Sequence, residues 1–417
     1  MSDETTDFYE DSLDEDDLDD FDVDDDAEGS PEGVSGDWPT QELEPLSDDD
    51  VIRPMPASPA KRRAGFYMTP RQAFLSMAGV LGVILLGLVI YLFWLTRPGD
   101  YTEEGGVAGA GLQPVVAVYG PGREPFPSFN QPMGVAWSSD GTEFYVADAR
   151  NNRICVFDED GKPLREFGSF GVAKPLAGAE RTWDPGELSY PVDVAVGDDG
   201  SVYVADFYND SISVFDDKGA FVRRFPDPYA QAGRGSSGQD GGGIAVTAVA
   251  VSGDRVYATD AYQVFVFSTK GEYIDQFGRP GLGMNGLDRP GGIAVDRDGR
   301  VYVSDSNHNR VIAFTEEGET LWVSGRPVEG LKEESDNPYV LPRGLSVLRD
   351  GSILVADPLG QELVRIDSDG KVVAQYGVRG SKAGQVNFPN DVDASGDRVL
   401  VADRQNQRVQ VVKLISR

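Results

Sequence analysis

Two aspartates, Asp193 and Asp391, have the setting of residues that could do chemistry. Each lies two positions after a proline, in Pro191-Val-Asp-Val-Ala and Pro389-Asn-Asp-Val-Asp, where three matching segments carry Gly134, Gly292 and Gly344. Two carboxylates brought together could hold a hard cation such as Ca²⁺, with carbonyl and water oxygens completing its shell. Other reactive material is scarce. Cys155 is the only cysteine and His308 the only histidine, so there is no intrachain disulfide, no thiolate cluster and no multi-histidine metal site. Acid/base chemistry by histidine would rest on one residue. No catalytic residue is assigned, the chain is expected to bind rather than catalyse, and calcium is the one cofactor these residues suggest.

A second set suits recognition. Phe170, Arg181, Trp183, Tyr208, Tyr229, Arg234, Tyr339 and Arg343 lie in or beside the connections 169–187, 226–243 and 326–338 or the loop after Asp206. Aromatic residues and arginine are favoured at recognition hot spots, and loops on a rigid scaffold commonly carry function.

The elements that position these residues repeat. A tripeptide column reads Val146-Ala-Asp148, Val204-Ala-Asp206, Ala258-Thr-Asp260, Val303-Ser-Asp305, Val355-Ala-Asp357 and Val401-Ala-Asp403. Upstream of five of the six stands a proline column, Pro132, Pro191, Pro290, Pro342 and Pro389, with Val246 in the third copy. Within a unit, short apolar runs alternate with turns rich in Asp and Gly, which predicts four strands per repeat. The column aspartates are expected to accept backbone amides of the following turn. Asn152, Asn309 and Asn406, with Arg153, Arg310 and Arg408, read as scaffold residues, and His308 as a turn residue among them.

The proline, the "VAD" column, the N-x-R element and endings such as Phe167-Gly168, Phe277-Gly278 and Tyr376-Gly377 resemble the NHL-repeat family. The resemblance implies an all-β, six-bladed β-propeller over residues 113–417. The last repeat has three strands before Arg417, and Pro114-Val-Val-Ala-Val-Tyr-Gly120 has the form of its missing fourth. Pairing the two would close the ring and remove exposed sheet edges. In such a propeller the long connections and the loops after the column aspartates open on one face, which is expected to meet a protein, peptide or glycan ligand. Related propeller hydrolases of the lactonase and gluconolactonase group place calcium at the position of Asp193 and Asp391, so a calcium-dependent hydrolase or lyase at the channel mouth is the alternative. The histidine zinc site of the related peptidyl-hydroxyglycine lyases has no counterpart here.

The N-terminal part differs in kind. Residues 1–63 hold 23 acidic and four basic residues, and such a segment buries too little apolar surface to offset the entropy of ordering. A disordered acidic tail is expected, able to meet a basic partner or to organise a membrane complex. Residues 64–97 form a juxtamembrane region and a span from Ala73 to Leu95, 23 residues without a charge, long enough to cross a bilayer as a helix. Lys61, Arg62, Arg63 and Arg71 precede the span, so the positive-inside rule places the tail in the cytoplasm and the propeller outside, joined by a linker over 98–112. The chain is thus expected to be a single-pass, signal-anchored membrane protein similar to the sensor half of bacterial receptor kinases, with no kinase motif in its tail. No basic surface predicts nucleic-acid binding.

Overall fold

The computed structural model describes residues 110–123, 127–172, 184–225, 245–326 and 337–416, with the helical pair Leu86 and Gly87. The tail at 1–63, nearly all of the span at 73–95 and most of the linker lie outside the described residues. Among the described residues no helix is long and apolar enough to cross a membrane.

Six four-stranded antiparallel sheets form the blades. Blade 1 runs inner to outer through Pro132–Trp137, Glu143–Asp148, Arg153–Asp158 and Pro163–Phe167. The inner strands of blades 2 to 5 are Pro191–Val196, Ala248–Ser252, Gly292–Val295 and Leu345–Val347. Blade 6 combines Pro389–Ser395, Arg398–Asp403 and Arg408–Ser416 with Ala110–Val118 as its outermost strand. The expected clasp therefore exists, with corrected bounds. The strand starts at Ala110, inside the expected linker, and ends at Val118.

A bulge explains how this strand serves two neighbours. Pro114 pairs with Val412 and Val116 with Val411, so Val115 is the extra residue, and it points to solvent. One inserted residue reverses the facing of everything beyond it. Leu112 accordingly packs in the core between blades 5 and 6, while Val116 and Val118 pack between blades 6 and 1.

Each pair of successive blades encloses its own apolar core. Between blades 1 and 2, for example, Tyr145, Ile154 and Val156 meet Val194, Val204 and Phe215. The aromatic-Gly endings close these cores at the rim. A Cβ on Gly318, in a turn of blade 4, would come within 2.3 Å of Phe277 at the end of blade 3. Gly318 also has φ +82°, a conformation natural only to glycine.

Deleting Ala110–Val118 should remove a nine-residue strand and leave Arg408–Ser416 as a bare edge. A thermal melt of the truncated propeller should fall by at least about 5 °C, since a domain of this size loses about 2 °C or more per kcal/mol. An unchanged melt would show that the ring does not depend on the clasp.

Candidate functional site

The column aspartates are structural. Asp148 Oδ1 accepts the Asn130 N–H at 2.7 Å, and its Oδ2 takes Asn151 Nδ2 at 2.8 Å and Arg153 Nε at 3.0 Å. Asp403 repeats the pattern with Asn387 N, Asn406 Nδ2 and Arg408 Nε. In blade 4, His308 takes the asparagine's place, its Nδ1 2.8 Å from Asp305 Oδ2, with Arg310 Nε at 2.7 Å from the same oxygen. His308 is thereby a turn residue, as expected. The arginines then donate onward to carbonyls of the connections: Arg310 to Gly283 and Gly286, Arg408 to Ser381, Lys382 and Gln385.

Asp193 and Asp391 do lie in the central channel, with Asp393 deeper on the same strand as Asp391. Their carboxylates reach across blade boundaries. Asp193 Oδ2 accepts Val249 N at 2.9 Å, Asp391 Oδ2 accepts Val135 N at 2.8 Å, and Asp393 Oδ2 accepts Trp137 N at 2.7 Å. The glycines of this column make room for them: a Cβ on Gly344 would meet Asp391 Oδ1 at 1.7 Å, and one on Gly134 would meet the Asp193 Cα at 2.5 Å.

Calcium takes about six to eight oxygen ligands. Among the described residues no group of three or more histidine, cysteine, aspartate or glutamate side chains is arranged to hold a metal, and the aspartate pair already accepts backbone amides. The two carboxyls alone are a poor fit for calcium.

Above the carboxyls, on the face bearing the column loops, a pocket of about 530 Å³ opens. Its walls come from three columns of the repeat. Tyr190 and Arg289 precede the column prolines, Phe207, Ala261 and Arg404 follow the column aspartates, and Met133, Val192, Arg343 and Asn390 follow the prolines. Asp193 and Asp391 also line it. The residues before the prolines were missed in the sequence, although they vary (Gln131, Tyr190, Arg289, Phe388) between columns that repeat. All four have φ between 49° and 60°, unusual for a side-chain-bearing residue. They are held there from the neighbouring blade: Gln407 Oε1 accepts Gln131 N, Asn152 Oδ1 accepts Tyr190 N, and Gln361 Oε1 accepts Phe388 N, while Arg289 N donates to the Ala261 carbonyl.

Of the eight residues expected on the ligand face, four are described. Arg343 lines the pocket. Tyr208 is exposed at its rim, 5.3 Å between ring centroids from Tyr190. Phe170 is exposed in a short parallel pair with Glu187–Leu188 and does not line the pocket. Tyr339 is a correction: at 1% exposure it packs between blades 4 and 5, its hydroxyl 3.0 Å from Ser324 Oγ. A tyrosine beginning a blade anchors its own connection when a buried hydroxyl partner is available. Arg181, Trp183, Tyr229 and Arg234 lie outside the described residues.

Burial raises the channel carboxyls. Asp193 is pushed up to about 7 by desolvation against its amide bonds, and Asp391 lies well above the ordinary value through desolvation and the charge of Asp193. Asp206, up to about 6, and Glu362, up to about 7, are likewise raised by burial. A folded-state value above the unfolded one (about 4) means that the native chain holds protons that the unfolded chain releases. That stability is present in full below the unfolded value and is lost as pH rises through the folded value, near 7 for Asp193. The melting temperature should therefore fall between mildly acidic and neutral pH. Asp391→Asn preserves an acceptor for Val135 N and should flatten the slope while raising stability at neutral pH. An identical slope in the variant would detach Asp391 from this proton linkage.

Comparison with known proteins agrees with this architecture. Residues 287–314 match the NHL repeat, and residues 93–233 match the SMP-30/gluconolactonase/LRE-like region. The Drosophila melanogaster protein brain tumor is 29% identical over 161 residues, 37% of this chain and 13% of that protein. A probable peptidyl-α-hydroxyglycine α-amidating lyase of Caenorhabditis elegans is 27% identical over 154 residues, 35% of this chain and 42% of that protein. The matches thus span less than half the length of these relatives. Among solved structures, a protein of unknown function from Bacteroides thetaiotaomicron has a TM-score of 0.53 at 18% identity, covering 73% of this chain and 76% of that one, a likeness of fold alone. The NHL match lies on blade 4 and the repeat columns recur through all six blades, so the chain carries an NHL-repeat match within a six-bladed β-propeller.

Proposed function

We propose that the propeller is a ligand-binding or sensing module and that its ligand enters the pocket at the channel mouth. The observation that carries this reading is the contrast between two sets of side chains. The column aspartates and their arginines are consumed by the scaffold, whereas Arg343 Nε and Asn390 Oδ1 are buried at the pocket without a hydrogen-bond partner. Buried polar atoms are ordinarily paired, and a concave apolar pocket with a few convergent polar groups is the usual form of a ligand site. The sequence supports a setting outside the cytoplasm, on a span at 73–95, with an acidic tail available to an inner partner.

The enzyme alternative has one observation in its favour. The match to the SMP-30/gluconolactonase/LRE-like region covers the strands of blades 1 and 2, and Asp193, on the inner strand of blade 2, has a value near 7 suited to a general acid or base. Its amide bonds and the poor fit to calcium favour binding over catalysis.

Thermal-shift screening of the full-length protein in detergent, with a fragment set of organic acids, amides, alcohols and amines, tests the binding reading. Ligands that raise the melting temperature should lose the effect in Ala261→Trp, which fills the pocket from a loop and leaves the sheets alone. Shifts that survive Ala261→Trp, or no shift with any fragment, would overturn it. Calcium should leave the melt unchanged; a calcium-dependent rise with lactone or ester hydrolysis, both lost in Asp193→Asn, would establish the enzyme instead. External protease on intact cells should digest the propeller and spare the tail, and the reverse pattern would invert the topology.

A further inference from the structure

Three arginines face the channel mouth. Arg289, Arg343 and Arg404 line one pocket, and among the described residues none forms an ion pair or donates a side-chain hydrogen bond, unlike Arg153, Arg224, Arg310 and Arg408 of the scaffold. Arg343 is sunk in the wall, held by its backbone N–H to the Ala356 carbonyl at 2.8 Å, with its Nε buried. Arg404 lies over the Phe388 ring, its Cζ 5.4 Å from the ring centroid. The two are close enough that the charge of Arg404, after burial, lowers the proton affinity of Arg343. Like charges gathered in a half-buried site without a counter-ion are costly, and an anion relieves that cost.

The carboxyls on the floor do not supply it. Asp193 and Asp391 point into blade-to-blade amide bonds, and burial favours the protonated form of both, which leaves the arginines in excess. Around the arginines the walls are apolar or aromatic: Tyr190, Phe207, Met133 and Val192. Asn390 completes the floor, its Nδ2 donating to the Met133 carbonyl at 2.9 Å and its Oδ1 unpartnered.

Resting on the pocket proposed above, we infer that the ligand carries a carboxylate on an apolar or aromatic body: the carboxylate is gripped by Arg343 and Arg404, the body lies against Tyr190 and Phe207, and a donor on it reaches Asn390 Oδ1. Guanidinium groups match the planar, two-oxygen geometry of a carboxylate. A monoanion also suits a floor that keeps some negative charge better than a dianionic phosphate would. Arg289, exposed at the rim, would draw the anion inward.

Titration calorimetry on the full-length protein, with benzoate, its uncharged isostere benzamide and inorganic phosphate as probes, tests this. Benzoate should bind and benzamide should not. Arg404→Gln should weaken benzoate at least about tenfold, the scale of a lost charge-assisted bond. Arg404 is partly exposed, so this variant should fold even if Arg343→Gln does not. Arg150→Gln, an exposed arginine in the loop after Asp148, should bind benzoate as the parent chain does. Benzamide binding as tightly as benzoate, and lost in Ala261→Trp, would refute carboxylate recognition while the pocket stood. Phosphate binding that displaces benzoate would replace the carboxylate with a phosphate ligand. Benzoate binding unchanged in Arg404→Gln, or absent from the parent chain, would overturn the assignment.

Discussion

Six sheets standing around a channel leave six inner edges, and an inner strand of each lines the channel with backbone groups that no further strand can pair. Much of this propeller follows from how those edges are satisfied. Between blades 6 and 1 the cross-links are densest. Asp391 and Asp393 accept the amides of Val135 and Trp137, Asn390 donates to the Met133 carbonyl, and Arg398 donates to the Gly141 carbonyl and to Glu159 while lying 4.7 Å over the Trp137 ring. This is also the junction that the two ends of the propeller must hold, since blade 6 is the composite blade. The clasp strand secures its outside and the carboxyls secure its inside.

The same requirement separates scaffold from site. A carboxylate that caps a neighbour's edge is not free to ligate a cation, and a guanidinium that ties a connection to a column aspartate is not free to meet a ligand. After these roles are assigned, the mouth retains Arg289, Arg343, Arg404, Asn390, Tyr190 and Phe207. Tyr190 and Arg289 are held in left-handed backbone by bonds to Asn152 Oδ1 and to the Ala261 carbonyl, Arg343 by its N–H to the Ala356 carbonyl, and Asn390 by its Nδ2 to the Met133 carbonyl. A site so built is preorganised, and binding spends little on ordering it.

The fold was legible in the sequence because repetition multiplies a weak signal. One "VAD" tripeptide means little, whereas a column of six tripeptides ending in Asp, four of them "VAD", at propeller spacing and with prolines upstream of five, defines the blade count and the split last blade. The candidate site was only partly legible. Asp193 and Asp391 were readable as channel residues because they break a glycine column, but their role depends on amides 56 and 256 residues away, which no local pattern encodes. Tyr339 misled because an aromatic residue at a loop's edge looks the same in sequence whether it faces a ligand or anchors its loop. The bulge at Val115, which lets one strand serve two cores, also has no local signature beyond Pro114.

Amide hydrogen exchange at Val135, Trp137 and Val249 bears most directly on the role given to the channel carboxyls. These N–H groups face a channel rather than a neighbouring strand, so only Asp391, Asp393 and Asp193 protect them. Exchange as slow as that of Val146 and Val204 in the second strands is expected at neutral pH, with the Val135 amide alone exchanging faster in Asp391→Ala. Rapid exchange at all three positions in the unaltered protein would contradict it, and would return these carboxyls to the list of groups free to bind a metal or a substrate.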